Sequence, residues 1–140
     1  MEAVILIGIP GSGKTTFYRE RFAATHLHIS LDVLGTRARE EALLAECLAG
    51  KKDFVVDNTN IVPSDRSRYI MRARSAGYRV VGYYFKTDVR TAIARNKNRT
   101  DKKAIPVPGI LRSNKRLIPP AAEEGFDELS TIETSSREKP

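Results

Sequence analysis

The chain predicts an α/β fold: a parallel sheet of about four to five strands flanked by helices, with a small basic lid. Three observations carry this. Compact apolar runs, Val4-Ile5-Leu6-Ile7, Phe54-Val55-Val56 and Tyr78 to Phe85, alternate with longer stretches of helical spacing, as strands buried on both faces of a parallel sheet require. The first run opens directly into Gly8-Ile9-Pro10-Gly11-Ser12-Gly13-Lys14-Thr15, a glycine-rich turn of the pattern G-x-x-x-x-G-K-[ST] that joins a strand to a helix. The length of 140 residues suits one core and leaves little for a second catalytic module. The domain is expected to span residues 1–132, and the polar segment 133–140 to be a frayed tail.

The elements follow in order. After the first strand and its loop, Thr16 opens a helix that carries Phe17 and Phe22 and runs to about Ala24. A short strand is expected near Leu27-His28-Ile29, then a helix from Thr36 to Leu48 that Gly50 is placed to stop. Phe54-Val55-Val56 is the next strand and ends in Asp57-Asn58-Thr59-Asn60. Pro63-Ser64 starts a helix leading to Gly77. Tyr78 to Phe85 reads as a strand, Asp88 begins a helix running into Arg95-Asn96-Lys97-Asn98-Arg99, a short helix follows Pro108 through Arg116, and a last strand lies near Leu129 to Ile132. In such sheets ligands bind beyond the carboxyl ends of the strands, so the loops after the first three strands converge on one site.

The glycine-rich loop has a direct chemical reading. Gly8, Gly11 and Gly13 let the backbone wrap round phosphates with N–H groups pointing inward, beside Ser12, and the following helix presents its positive end to the same anion. Lys14 reaches the outer phosphates, Thr15 offers its hydroxyl to Mg²⁺, and Thr16 continues the cradle. The chain is therefore expected to handle a nucleoside triphosphate, ATP or GTP.

The formal net charge is +7. Residues 66–116 hold fifteen Lys and Arg against only Asp88 and Asp101, which leaves the rest of the chain net acidic. A field of this kind suits polyanions through counterion release, and a solvated basic face fits the charge alone equally well. Cys47, the one cysteine, cannot form an internal disulfide and reads as a buried thiol compatible with a reducing compartment. The N-terminal apolar run is too short for a signal peptide, is preceded by Glu2, and no stretch reaches transmembrane length. A soluble cytoplasmic protein without a membrane partner is the expectation.

Further candidates surround the loop. Asp32, just past the second strand, is placed to accept a proton from a bound hydroxyl and hold it in line for attack; a helix N-cap is the competing role. Asp57, at the end of an apolar strand, is positioned for a metal-associated carboxylate, with an Asx turn as the alternative. Arg95 and Arg99, four residues apart, share a helix face from which they could close over phosphates; solvated surface arginines are the plainer reading. His26 and His28 have no Cys or acidic cluster to complete a metal site and read as surface or partly buried side chains. Arg112, Lys115 and Arg116 form a basic helical patch that suits either a nucleic-acid backbone or solvent.

Together the segments Gly8 to Thr16, His28-Ile29-Ser30-Leu31-Asp32-Val33-Leu34-Gly35, Asp57-Asn58-Thr59-Asn60, Arg95-Asn96-Lys97-Asn98-Arg99 and Ala104-Ile105-Pro106-Val107 resemble the polynucleotide 5′-hydroxyl kinase family, the kinase modules of nucleic-acid end-healing enzymes. Order and spacing match over nearly the whole chain. The resemblance implies ATP as phosphate donor with Mg²⁺, DNA or RNA 5′-OH ends as acceptor, and a separate end-healing phosphatase or ligase as partner. It implies that Asp32 is the general base, that Lys14, Arg95 and Arg99 act on the donor phosphates, that Arg39 contacts the phosphate beside the acceptor nucleoside, and that Asp57, Asn58, Thr59 and Asn60 line the acceptor side. The chain departs from the pattern at Leu31, where relatives commonly carry Arg, and at Gly35, an arginine position in some relatives. Arg37 competes with Arg39 for the acceptor phosphate. The alternatives are a small-molecule kinase for a nucleoside, sugar or antibiotic hydroxyl, and an NTP-hydrolysing switch; Arg99 stands where the guanine-reading Asn-Lys-x-Asp motif needs an acid.

Overall fold

The computed structural model describes residues 1–97 and 105–134. Five parallel strands lie in the order β2-β3-β1-β4-β5: β1 Glu2–Ile7, β2 Leu27–Ile29, β3 Phe54–Asp57, β4 Arg79–Thr87 and β5 Glu128–Thr134. β1 is central. It pairs with β3 from Ala3↔Phe54 to Leu6↔Asp57 and with β4 from Glu2↔Arg79 to Ile7↔Tyr84, so its apolar run is buried on both faces and needs no polar alternation. Ala3, Ile5 and Ile7 enter one core layer with Leu44, Cys47, Tyr69, Ile70 and Ala73 of two helices. Val4 and Leu6 enter the other, with Tyr18 and Phe22.

The helices are α1 Lys14–Arg21, α2 Leu31–Leu34, α3 Arg37–Ala49, α4 Pro63–Ser75, α5 Val89–Lys97 and α6 Val107–Arg116, with a 3-10 turn at Ala122–Glu124. α1 begins at Lys14 and stops a turn before the expected Ala24, because the Phe22 carbonyl accepts the N–H groups of Thr25 and His26 and turns the chain into β2. The short helix α2 was not anticipated; it is closed by Gly35 at φ 88°. The Thr36 side chain then accepts from Arg39 N at 3.2 Å and starts α3 as an N-cap. Gly50 follows the end of α3 at φ −87°, and the left-handed residue is Lys51 at φ 52°, so the stop does not use glycine's freedom. β4 continues two residues past Phe85, and β5 reaches Thr134, two residues into the expected tail, because it pairs with β4 up to Thr87↔Thr134. Residues 135–140 lie outside the described residues.

One buried charge ties the far connections together. Arg66 of α4 is 0% exposed. Its Nε and Nη2 donate to the two Glu124 oxygens at 2.8 and 2.9 Å, and its Nη1 donates to the carbonyls of Asn60 and Ile118 at 2.9 and 3.1 Å. Burial raises the Glu124 carboxyl, but the bonds from Arg66 and from the Ala121 N–H outweigh it and hold it below its ordinary range. This fixes the loop after β3, the exit from α6 and the approach to β5 at a single guanidinium.

Candidate active site

The carboxyl ends of β1, β2 and β3 open into a cleft of about 860 Å³. Its floor is the loop between β1 and α1. Gly8 N donates to Thr59 O at 3.0 Å, which pins the start of this loop to the one after β3. A Cβ on Gly8 would stand 2.7 Å from Ser12 Oγ, and one on Gly11, at φ +84°, 2.4 Å from the Ala92 carbonyl of α5; helix α5 thus rests directly on the loop. Gly13, at φ +95°, lies so close under Arg95 that a Cβ would meet Nη1 at 2.6 Å. The Lys14 ammonium is buried in the loop and donates to the carbonyls of Gly8 and Ile9 at 3.0 Å each and to Ser12 Oγ at 3.3 Å. An ammonium centred beneath the cradle, with a guanidinium above it, is a site for a polyphosphate.

Thr15 and Thr16, exposed in the first turn of α1, both line the cleft. Thr15 Oγ1 donates to Asp57 Oδ2 at 2.8 Å, leaving its oxygen lone pairs free on the other side. The same Asp57 oxygen meets His28 Nε2 at 2.8 Å, and the His28 ring stacks on Tyr18 with centroids 4.0 Å apart. Burial raises the Asp57 carboxyl, yet the His28 bond, the Lys14 ammonium and the Thr15 hydroxyl outweigh it and hold it below the usual carboxylate range. Asp57 is therefore ionised beside the threonine hydroxyl. Hard oxygen donors of this kind suit Mg²⁺, which uses one or two protein ligands and takes the rest from water and phosphate. Among the described residues no group of three or more His, Cys, Asp or Glu could hold a metal ion.

Asp32 lies in the first turn of α2, exposed and on the cleft wall. It does not cap the helix, because Ser30 occupies that position. Among the described residues its carboxylate makes no hydrogen bond. Helix α2 is held from below: Asn58 Oδ1 accepts Leu31 N at 2.9 Å, while Asn58 Nδ2 donates to Glu40 Oε2 at 2.7 Å and to Tyr69 Oη at 3.2 Å. Glu40 is 2% exposed, and it also accepts from Arg37 Nη1 at 2.8 Å and from Tyr69 Oη at 3.0 Å.

The expected acceptor loop therefore has a second role. Asp57, Asn58, Thr59 and Asn60 all line the cleft, but the side chains of Asp57, Asn58 and Asn60 and the Thr59 carbonyl bond to the scaffold. Asn60, at φ 49°, donates from Nδ2 to Leu6 O at 2.8 Å. The Arg39 guanidinium donates to the Leu34 carbonyl at 3.4 Å, while Arg37 and Arg68 line the cleft wall. Arg95 is in place over the loop; Arg99 and Ala104 lie outside the described residues. Sequence reasoning left His28 as a surface or partly buried side chain without its tie to Asp57, and did not single out Glu40, Arg66, Arg68 or Tyr69. A signal existed for most of them: Glu40, Leu44 and Cys47 share one helical stripe, as do Arg66, Tyr69, Ile70 and Ala73, so a charge stood at a core position in each. His28 pairs with Val55, two residues before Asp57, and thus shares the face of that carboxylate.

Comparison with known proteins agrees with this fold. A protein of Acanthamoeba polyphaga mimivirus assigned as a bifunctional polynucleotide phosphatase/kinase is 28% identical over 138 residues, covering 94% of this chain and 33% of its own length; the chain spans about a third of the length of the curated relatives it matches. Among solved structures, Kti12 of Chaetomium thermophilum in complex with ADP-AlF3 superposes with a TM-score of 0.66 at 21% identity, over 94% of this chain and 88% of that one. A gluconokinase from Sinorhizobium meliloti 1021 does so with a TM-score of 0.64 at 17% identity, over 99% and 84%. No helix among the described residues is long and apolar enough to cross a membrane. The family described as AAA domain matches residues 4–112; the chain belongs to this family and carries its nucleotide-binding loop on a P-loop kinase fold.

Proposed function

We propose that this chain is a polynucleotide 5′-hydroxyl kinase, transferring the γ-phosphoryl of ATP to the 5′-OH end of DNA or RNA. The observation that carries the reading is Asp32: a carboxylate without a hydrogen-bond partner among the described residues, on the wall of the same cleft as Lys14, Thr15 and Arg95. The name borne by the mimivirus relative supports a polynucleotide as the acceptor class.

Asp32 accepts the proton of the acceptor hydroxyl as its oxygen forms the new bond to the γ-phosphorus; the bond from that phosphorus to the β–γ bridging oxygen breaks, and ADP leaves. Lys14 and Arg95 stabilise charge on the transferring and leaving oxygens, while Arg37 and Arg68 replace Arg39 as the acceptor-side cations. The Thr15 hydroxyl, oriented by Asp57, would hold Mg²⁺. Held there, Mg²⁺ would supply positive charge to offset that of the donor phosphates. A cytoplasmic setting, with ATP at hand and the buried Cys47 thiol reduced, fits this activity.

The test is transfer of labelled γ-phosphate to matched 5′-OH DNA and RNA oligonucleotides and to a nucleoside 3′-monophosphate. Wild-type protein is expected to label the oligonucleotides, and Asp32→Asn to lose on the order of 10²–10⁴ in rate with ATP affinity retained. Label on a sugar or free nucleoside alone would assign the chain to the small-molecule kinases. Phosphate release without any labelled acceptor would make it an NTPase.

A further inference from the structure

The basic segment divides into two parts. All four arginines of α4 and both cations of β4 face carboxylates: Arg66 meets Glu124, Arg72 meets Glu41, Arg79 meets Glu128 and Lys86 meets Glu133, with Arg68 and Arg74 on Glu40 and Asp127. Except at Arg68, which shares Glu40 with Arg37, their charge is balanced at short range. Helices α5 and α6 contain Arg90, Arg95, Lys97, Arg112, Lys115 and Arg116 and no acidic residue, and no ion pair joins any of them to another described residue.

Helix α6 gathers three of these charges on one side. Ile110 is 0% exposed and sits in the small core shared with Ile9 and Ala92. Arg112, Lys115 and Arg116 follow at helical spacings that place them opposite Ile110, and all three are exposed. A cluster of like charges in the last turns of a helix favours an anion only through the side chains, so what matters is where the helix runs. Its start is fixed at the cleft, where Asn96 bonds both the N–H and the C=O of Ile105, a cleft residue. Its end is fixed beside the loop after β3, where Ile118 N donates to Ile61 O at 2.8 Å and Arg66 holds Ile118 O. The ten-residue helix, about 15 Å long, therefore runs between the phosphate-loop side of the cleft and the loop that borders its acceptor side.

We infer that the Arg112, Lys115 and Arg116 face of α6 is a docking surface for the phosphodiester backbone of a single-stranded polynucleotide, holding the strand beyond the terminal nucleotide whose 5′-OH enters the cleft. This rests on the kinase reading for the direction of the strand. Charge complementarity names the occupant: three exposed cations that form no ion pair with another described residue release counterions on meeting consecutive phosphates. Contacts to phosphates carry no base information and do not tell ribose from deoxyribose, so DNA and RNA strands are held alike.

The experiment uses the full chain, the variant R112Q/K115Q/R116Q and, as control, R72Q/R74Q, which removes two cations already balanced by carboxylates. Binding of a labelled 5′-OH DNA or RNA strand of about 20 nucleotides is followed by fluorescence anisotropy between about 50 and 200 mM salt, beside phosphate transfer to that strand and to a nucleoside 3′-monophosphate. Single-strand contacts contribute roughly 0.7 each to the salt slope, so the α6 variant loses about 2 from the slope and on the order of tenfold in strand affinity at the lower salt. The control keeps both, and transfer to the mononucleotide is unchanged in every protein. Wild-type affinity and slope in the α6 variant, or equal loss in the control, overturn the inference. Strand binding that depends on α6 in a protein that phosphorylates neither acceptor would keep this surface and reject the kinase reading.

Discussion

Replacing Arg66 by methionine keeps an unbranched side chain of similar length in the core and removes four hydrogen bonds at once. Two of them form the bidentate pair with Glu124, and the other two satisfy the carbonyls of Asn60 and Ile118. Breaking a buried ion pair by deleting one partner costs about 3–5 kcal/mol, and each orphaned buried acceptor costs about 1–3 kcal/mol. These overlap, and Glu124, with a side chain 17% exposed, recovers some hydration, so about 4 kcal/mol is expected. For a domain of this size that corresponds to a fall in Tm of roughly 12 °C. Urea unfolding with an unchanged m-value is the assay. Arg72→Met provides the scale, since Arg72 and Glu41 form an exposed pair of the kind that contributes about 0–1 kcal/mol. An Arg66→Met loss below about 1.5 kcal/mol, or no larger than that of Arg72→Met, would refute the idea that one guanidinium holds these three connections.

Two more outcomes follow from the site. Asn58→Ala removes the acceptor for Leu31 N and the donor to Glu40, so helix α2 loosens; stability falls by about 1–3 kcal/mol, and phosphate transfer falls more than ATP affinity, measured by kinetics beside nucleotide titration. Equal ATP affinity and equal transfer would show that Asn58 does not position Asp32. For Asp57, whose folded pKa is lowered, ionisation contributes stability above the unfolded value of about 3.9 and loses it as pH falls through the folded value. Urea titrations should show wild type more stable than Asp57→Asn near neutral pH and the gap closing below about pH 4; a gap independent of pH across that window would mean the charge contributes nothing.

The fold and the donor half of the cleft were legible because their signals are local. An apolar run that must be buried on both faces, followed by glycines at fixed spacing and Lys14-Thr15, dictates strand, loop and helix within fifteen consecutive residues. Periodicity likewise located the helices, although it missed α2, since four residues hold no full helical repeat. Gly50 does cap the end of α3 as expected, although the left-handed residue is its neighbour Lys51.

The side of the cleft proposed for the acceptor was readable only as residue types. The family resemblance preferred Arg39 for the acceptor phosphate, with Arg37 two residues away as its competitor, but where the two guanidiniums rest depends on Glu40. That carboxylate is buried between α3, α4 and the loop after β3, and it draws in Arg37, Tyr69 and Asn58, while Arg39 turns to Leu34. Asn58 and Asn60 kept their place at the cleft, but their hydrogen bonds go to partners 27 and 54 positions away. The sequence by itself determined the class of fold, the phosphate loop and the chemical identity of each candidate. The tertiary structure alone decided which cations are balanced and which are not, that His28 supports Asp57, and that Arg66 joins three connections, because a charge's role depends on its neighbours and those neighbours are brought together only when the sheet assembles.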